Sequence, residues 1–394
     1  GQYLTLPAVA RHMAQMLGVP ERDAVVLEPA IGSGVLAAAV IEHAVERGFA
    51  TRFRLVGYDT DAALLRAASD VLDGAVARAA KHGVDVTLDL RHADFILDHI
   101  GTPAPTLFDD APPPEPEAAE SAHYDVVLAN PPYFKLKPED PRRQAADGFS
   151  ATSNIYPVFM ELCMRRLRDE GQACFIVPRS FCSGSYFGAF RQYVTQHVRP
   201  ERIHLFESRQ DAFKGDAVLQ ENVIISFAAG NGQVLPDPEQ EVVISTSAGV
   251  ADLGTAHRKH TVPLENILGG QPRRPVFRLP TSNLDTAIIR TVDAWDGSLA
   301  QYNLEISTGP VIPFRNREAL RDAREAESSV PLLWLHNVKP HRVVMEAEKS
   351  GKAPALSLQA DPKTLLPVAN YVLMRRFTAK EEARRMVVAP FLKD

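Results

Sequence analysis

Long apolar runs are missing from this chain of 394 residues. A membrane-crossing helix needs about 20 consecutive apolar residues, and no stretch approaches that. No signal-peptide pattern opens the chain either. A cytoplasmic protein without a membrane partner is expected. Cysteine is scarce, with only Cys163, Cys174 and Cys182. Their spacing does not suit zinc, so no metal is expected. Cys163 and Cys174 fall in apolar helix and strand patterns, which suits reduced core thiols. Net charge is small, −6, and gives no general sign of a nucleic-acid binder. Its distribution is uneven: residues 255–394 carry +6 and residues 1–254 carry −12. A basic last part fits phosphate contacts; a solvated surface bias fits as well.

Two phosphate-binding motifs are also absent. The turn Gly32-Ser33-Gly34 is followed by Ala37 where a dinucleotide fingerprint needs glycine, and no Gly-Lys-Ser/Thr follows it. Asp361-Pro362-Lys363 is an isolated Asp-x-Lys without a convincing upstream acid, and reads as a loop rather than a nuclease site.

What the chain does have is a rhythm. Apolar strands are predicted at 24–27, 52–58, 84–90, 124–129, 173–177, 202–206 and 222–228. Helical spacing is predicted over 5–18, 35–47, 61–82, 154–168 and 186–197, with Asp61 as the cap of the third helix. Strands alternating with helices give an α/β fold with a parallel sheet covered on both faces. Residues 101–122 are acidic and proline-rich, an expected surface insertion. Residues 135–152 form a basic loop with Lys135, Lys137, Arg142 and Arg143, open to reading as a lid, a backbone clamp or an ordinary loop. Residues 231–254 read as linker, and a charged helix is expected near 316–328.

The chemistry gathers at strand ends. Asn130-Pro131-Pro132-Tyr133 follows the strand at 124–129. Prolines lack N–H groups for a ladder and restrict the residue before them, so the strand stops in a stiff loop. That loop offers an amide, free carbonyls and an aromatic face at a strand's carboxyl end, where open α/β sheets place ligands. Such a set suits a planar amino group on a ring; a plain proline turn is the alternative. Glu28-Pro29-Ala30-Ile31-Gly32-Ser33-Gly34 makes a tight turn with an acid at its start, which argues for a cationic or hydroxyl-bearing ligand. Asp59 and Thr60 end the second strand, where an acid can accept both hydroxyls of a ribose. Asp94-Phe95 after the third strand offers a carboxylate and a ring for an adenine.

Taken together, these motifs resemble the S-adenosylmethionine-dependent DNA adenine-N6 methyltransferases of the gamma class, Taq-type, from type II restriction-modification systems. The resemblance implies a Rossmann-like seven-stranded sheet over residues 1–230 and a mixed α+β target-recognition domain over 255–394. It implies S-adenosyl-L-methionine as cofactor, held by Tyr3, Thr5, Glu28, Pro29, Ala30, Gly32, Gly34, Asp59, Thr60, Asp94, Phe95 and Asn130. It implies catalysis by Asn130, Pro131, Pro132 and Tyr133, with Tyr133 and Phe213 stacking on a flipped adenine. It implies double-stranded DNA as partner, with a separately encoded cognate restriction endonuclease acting on the same site. Arg273, Arg274, Arg315, Arg317, Arg342, Arg375 and Arg376 are candidates for guanine or phosphate contacts. The same tetrapeptide also serves RNA adenine and protein-glutamine methyltransferases, and a non-catalytic DNA-binding subunit is a further alternative.

Overall fold

The alternating pattern folds around one large sheet. The structure, a computed structural model, describes residues 5–18, 23–48, 51–100, 123–150, 153–206, 222–230, 239–253, 258–271, 274–324, 327–347, 349–377, 384 and 386–393. Five parallel strands come first: β1 (Ala24–Glu28), β2 (Thr51–Asp59), β3 (Val84–His92), β4 (Tyr124–Ala129) and β5 (Leu167–Pro178). Then come β6 (Val198–Phe206), β7 (Asn222–Ala229), β8 (Glu241–Ser247) and β9 (Arg258–Pro263). Their order is β3-β2-β1-β4-β5-β7-β6-β8-β9. β7 runs antiparallel to both β5 and β6, β8 is parallel to β6, and β9 closes the edge antiparallel to β8.

The order reverses between β1 and β4, which makes the crevice beyond their carboxyl ends the switch point where such sheets take ligands. Side chains alternate across the sheet. Val25 and Leu27 of β1 enter one core with Phe159, Phe175 and Phe190, while Val26 enters the other with Met13, Leu36 and Leu72. Helices α1 (Pro7–Gln15), α2 (Val35–Glu46) and α3 (Ala62–Ala80) supply the second core. The first core takes α4 (Phe95–Ile100), α6 (Ile155–Arg165) and α7 (Gly188–His197), with the short α5 (Pro141–Ala145) lying between α4 and α6 in the chain. Asp61 caps α3 as predicted, accepting from Ala63 N at 2.8 Å. Cys163, Cys174 and Cys182 are buried and unbridged. Among the described residues no helix is long and apolar enough to cross a membrane.

The structure corrects the predicted boundaries. The sheet has nine strands rather than seven, and β8 lies inside the stretch expected to be linker. The first compact unit runs to Trp295, whereas the sequence reading divides catalytic and recognition parts at 231–254. The second unit, Asp296–Asp394, is built from short antiparallel pieces. Leu320–Arg321 and Ser329–Pro331 both pair with Ala355–Ser357, and Tyr371–Met374 pairs with Val388–Phe391. The charged helix expected near 316–328 is a single 3-10 turn, Arg317–Ala319, because the next residues are taken by that ladder.

Candidate active site

The β1–α2 turn is held from both sides. Ile31 N donates to Tyr58 O at 2.8 Å, and Gly32 N donates to Asp59 Oδ2 at 2.9 Å. Asp59 Oδ1 accepts from Asp61 N at 2.9 Å, so one carboxylate ties the turn to the end of β2. Gly34 begins α2 at φ 76°, and a Cβ there would lie 3.2 Å from Ala68 Cβ of α3. Glycine is required at 34 for both reasons. Pro29 is buried and Ala30 half-buried within the same turn, while Thr60 is exposed and its carbonyl accepts from His92 Nε2 at 3.1 Å.

Glu28 is 3 % exposed, and its Oε2 accepts from Ala37 N in the first turn of α2 at 2.8 Å. Burial, with the Asp59 charge as a smaller contributor, pushes its carboxyl well above the usual range against the lowering pull of the Ala37 N–H. A raised native pKa favours the protonated fold. The stabilisation is fully present below the ordinary carboxyl range and fades as pH climbs through the raised value. Glu28→Gln therefore melts like the parent at acid pH and at a higher temperature above that range, the gap widening with pH. Melting curves across pH check this; a gap that stays closed or reverses as pH rises means that the fold does not raise the Glu28 carboxyl.

Asp94 follows β3 and caps α4, its Oδ1 accepting from Ile96 N at 2.9 Å and Leu97 N at 3.2 Å. Its Oδ2 lies 3.8 Å from Arg142 Nη1. Arg142 also makes a forked pair with Asp140, at 2.9 and 2.7 Å, and covers the Phe134 ring at 5.3 Å. The guanidinium holds the Asp140 carboxyl below its ordinary value. The Phe95 ring is 1 % exposed and packs against Tyr58, His99 and Phe159 in the core, so a contact from Phe95 to an adenine would come from its backbone rather than its ring face.

Asn130 leaves β4 with Pro131 buried and Pro132 half-buried behind it. Asn130 Nδ2 donates to Thr5 Oγ1 at 3.0 Å. The Tyr133 hydroxyl lies 2.6 Å from Asn130 Oδ1 and 2.6 Å from Ile176 O at the end of β5. One hydroxyl proton serves one of these acceptors at a time. The Tyr133 ring meets Tyr156 edge-on, centroids 6.1 Å apart. Tyr3 and Phe213 lie outside the described residues.

The basic loop after Tyr133 is tied down at both ends. Lys135 bridges to Asn154, and Leu136 N donates to Ser153 O at 3.1 Å. Ser150 N donates to the buried Glu161 at 3.0 Å, and Arg165 sits between the Phe149 and Tyr193 rings while pairing with Glu161. No spacing in the sequence signals the Arg142–Asp94 or Ser150–Glu161 contacts, since each joins residues from separate elements. In the second unit Arg315, Arg317, Arg342 and Arg376 are exposed, whereas Arg375 is committed to Val338 O at 2.8 Å. Arg274, in the first unit, is exposed and Arg273 lies outside the described residues. Asp361 caps a 3-10 turn through Lys363 N, as a loop residue would.

The donor set suits S-adenosylmethionine. Asp59 and Asp94 offer acceptors for hydroxyl and amino groups, Glu28 lies at the same turn, and no phosphate-type cradle is present there. The Eco57I restriction-modification methylase family matches residues 89–213, from the end of β3 past the 130–133 loop. The type II methyltransferase M.PstI of Providencia stuartii is 29 % identical over 397 residues, covering 100 % of this chain and 74 % of that protein. The type II methyltransferase M.BsuBI of Bacillus subtilis is 35 % identical over 276 residues, 68 % of this chain and 52 % of that protein. The chain thus spans about half the length of M.BsuBI. A solved structure from Vibrio vulnificus, assigned as a modification subunit of a type I restriction enzyme, superposes with a TM-score of 0.51 at 14 % identity, over 72 % of this chain and 60 % of that one. Residues 89–213 are thus similar to the Eco57I restriction-modification methylase family, and they lie within an α/β fold built on the nine-stranded sheet.

Proposed function

We propose that this chain is a site-specific DNA methyltransferase that methylates N6 of an adenine extruded from double-stranded DNA, as the modification enzyme of a restriction-modification system. The observation that carries the reading is the 130–133 loop at the β1/β4 switch point, its Asn130 amide held by two hydroxyls. The family match and the two type II relatives support it. A separately encoded endonuclease acting on the same site is the matching partner, and the bacterial cytoplasm is the compartment. Unit 2 is the proposed recognition part, together with the basic residues that precede it from 255 onward.

Gly32, Gly34, Asp59 and Asp94 are the residues proposed to hold S-adenosylmethionine, with Glu28, Pro29, Ala30 and Thr60 framing the turn. When bound, that cofactor supplies an electrophilic sulfonium methyl. The adenine amino nitrogen is a poor nucleophile because its lone pair is spread into the ring. Asn130 Oδ1 and the Pro131 carbonyl accept its two N–H bonds and draw the nitrogen toward tetrahedral geometry. A carbonyl oxygen accepts two hydrogen bonds, so the Tyr133 contact does not by itself exclude a substrate N–H. Positioning and electrostatics do the work, without a strong base. Extruding the base costs a few kcal/mol; stacking on Tyr133 and Phe213, at roughly 1–3 kcal/mol per base, offsets much of that.

The test is methyl transfer from tritiated S-adenosylmethionine to unmodified bacterial genomic DNA, followed by nucleoside analysis. Label in N6-methyladenine is the expected result. Label in RNA or in a protein glutamine instead overturns the DNA assignment, and cofactor binding without any transfer points to a non-catalytic subunit.

A further inference from the structure

The Asn130 side chain poses a mechanical problem. Its terminal torsion is broad and two-fold, so an amide that is only half-buried turns over easily. One orientation offers oxygen to a substrate amino group and the other offers an NH2, which repels it. The structure braces the amide with two hydroxyls, one at each end: Thr5 Oγ1 at 3.0 Å from Nδ2 and Tyr133 OH at 2.6 Å from Oδ1. A hydroxyl both donates and accepts, so the pair fixes the place and plane of the amide, and the substrate N–H favours the face that presents oxygen. Tyr133 belongs to the same loop. Thr5 comes from 125 residues away in the chain.

Thr5 does not cap the helix it precedes. The capping position belongs to the residue after it. Here α1 has Leu6 at its N-cap with no side-chain cap bond, and Pro7 opens the helix without an N–H to satisfy. The Thr5 hydroxyl is turned to Asn130 instead. Its position is set by packing: Val9, Ala10 and Met13 of α1 are fully buried, and Leu6 packs against the same core. Docking of α1 therefore delivers a hydroxyl to the loop that follows β4.

We propose that Thr5 is a positioning residue for methyl transfer, holding the Asn130 amide in the place and plane where its oxygen meets the substrate N–H. This rests on the reading of residues 130–133 as the methyl-transfer loop. It assigns Thr5 a task distinct from contact with the cofactor. Thr5→Val keeps shape and removes the hydroxyl; Thr5→Ser keeps the hydroxyl.

The experiment measures single-turnover methyl transfer and S-adenosylmethionine affinity for the parent, Thr5→Val and Thr5→Ser. It also follows the Asn130 side-chain amide signal in protein labelled with 15N-asparagine, assigned by its loss in Asn130→Ala. Thr5→Val is expected to slow transfer about ten- to a hundredfold, the scale of a misplaced reacting group, with cofactor affinity unchanged. Its Asn130 amide signal shifts, and Thr5→Ser restores both rate and signal. An unshifted amide signal, a full rate in Thr5→Val, or an affinity loss that matches the rate loss each overturns the proposal. If the parent transfers no methyl to adenine, the reading of the loop fails and the positioning role fails with it. Full parental activity with a full rate in Thr5→Val sinks the positioning role alone.

Discussion

Asn130→Ala is expected to lower methyl transfer by about a hundred- to a thousandfold, on the order seen when a single oxygen-directed hydrogen-bond partner is removed from a preorganised site, and to leave S-adenosylmethionine affinity nearly unchanged. The size follows from what the side chain is placed to do. Its Oδ1 is the proposed side-chain acceptor for the amino group, and without it the proposed grip keeps the Pro131 carbonyl alone. The fold survives the change. Asn130 is half-buried, Ala129 before it keeps its pairing with Phe175, and the Tyr133 hydroxyl retains Ile176 O as an acceptor. Single-turnover kinetics with a direct binding measurement separate the two effects. Undiminished transfer in Asn130→Ala would falsify the catalytic assignment. An affinity loss equal to the rate loss would make Asn130 chiefly a cofactor contact.

The site was legible where chemistry is local. Asn130 through Tyr133, the glycine turn, and Asp59 at the end of β2 all sit where strand-end reasoning places them, because a proline or glycine pair marks a strand end in sequence as it does in space. The tetrapeptide's strand was predicted with its observed ends. What the sequence does not signal depends on distant partners. Phe95 looked like a free aromatic beside a carboxylate, yet three rings from β2, α4 and α6 enclose it. Asp94 follows β3 where strand-end reasoning places it, and the sequence does not signal that its carboxylate also serves the α4 cap and faces Arg142.

The sheet shows the same division. Predicted strands start late at β5 and β6 because their first residues are polar or include Pro200. Pairing of Leu167 with Tyr124 recruits the first, and a register shift between Pro200 and Arg202 admits the second. β8 was assigned to a linker although Glu241–Ser247 is rich in β-branched residues, because the domain boundary was drawn from the Gly- and Pro-rich stretch before it. The helix Asn283–Asp293 was missed despite Ser282 accepting from Asp285 N at 3.2 Å, a cap that the Ser282…Asp285 spacing announces.

Tyr133→Ala is expected to lose about five- to a hundred-and-fiftyfold in methyl transfer, the range that a stacking contribution of roughly 1–3 kcal/mol implies, whereas Tyr133→Phe is expected to stay within about tenfold of the parent, the scale of one net hydrogen bond. The ring and the hydroxyl do different things. The ring is half-buried, braced edge-on by Tyr156, and its proposed task is to stack on the extruded base. The hydroxyl joins Asn130 Oδ1 and Ile176 O, so Phe at 133 weakens the grip on the amide while Thr5 still holds the other end. DNA carrying 2-aminopurine at the target position distinguishes the two losses, since its fluorescence rises when the base leaves the stack. Tyr133→Phe is expected to keep that rise and Tyr133→Ala to lose most of it. If Tyr133→Ala extrudes the base as well as the parent and transfers methyl at the same rate, the ring has no stacking task. If Tyr133→Phe is as impaired as Tyr133→Ala, the hydroxyl's hold on Asn130 is the larger contribution, and the loop acts through orientation of the amide more than through contact with the base.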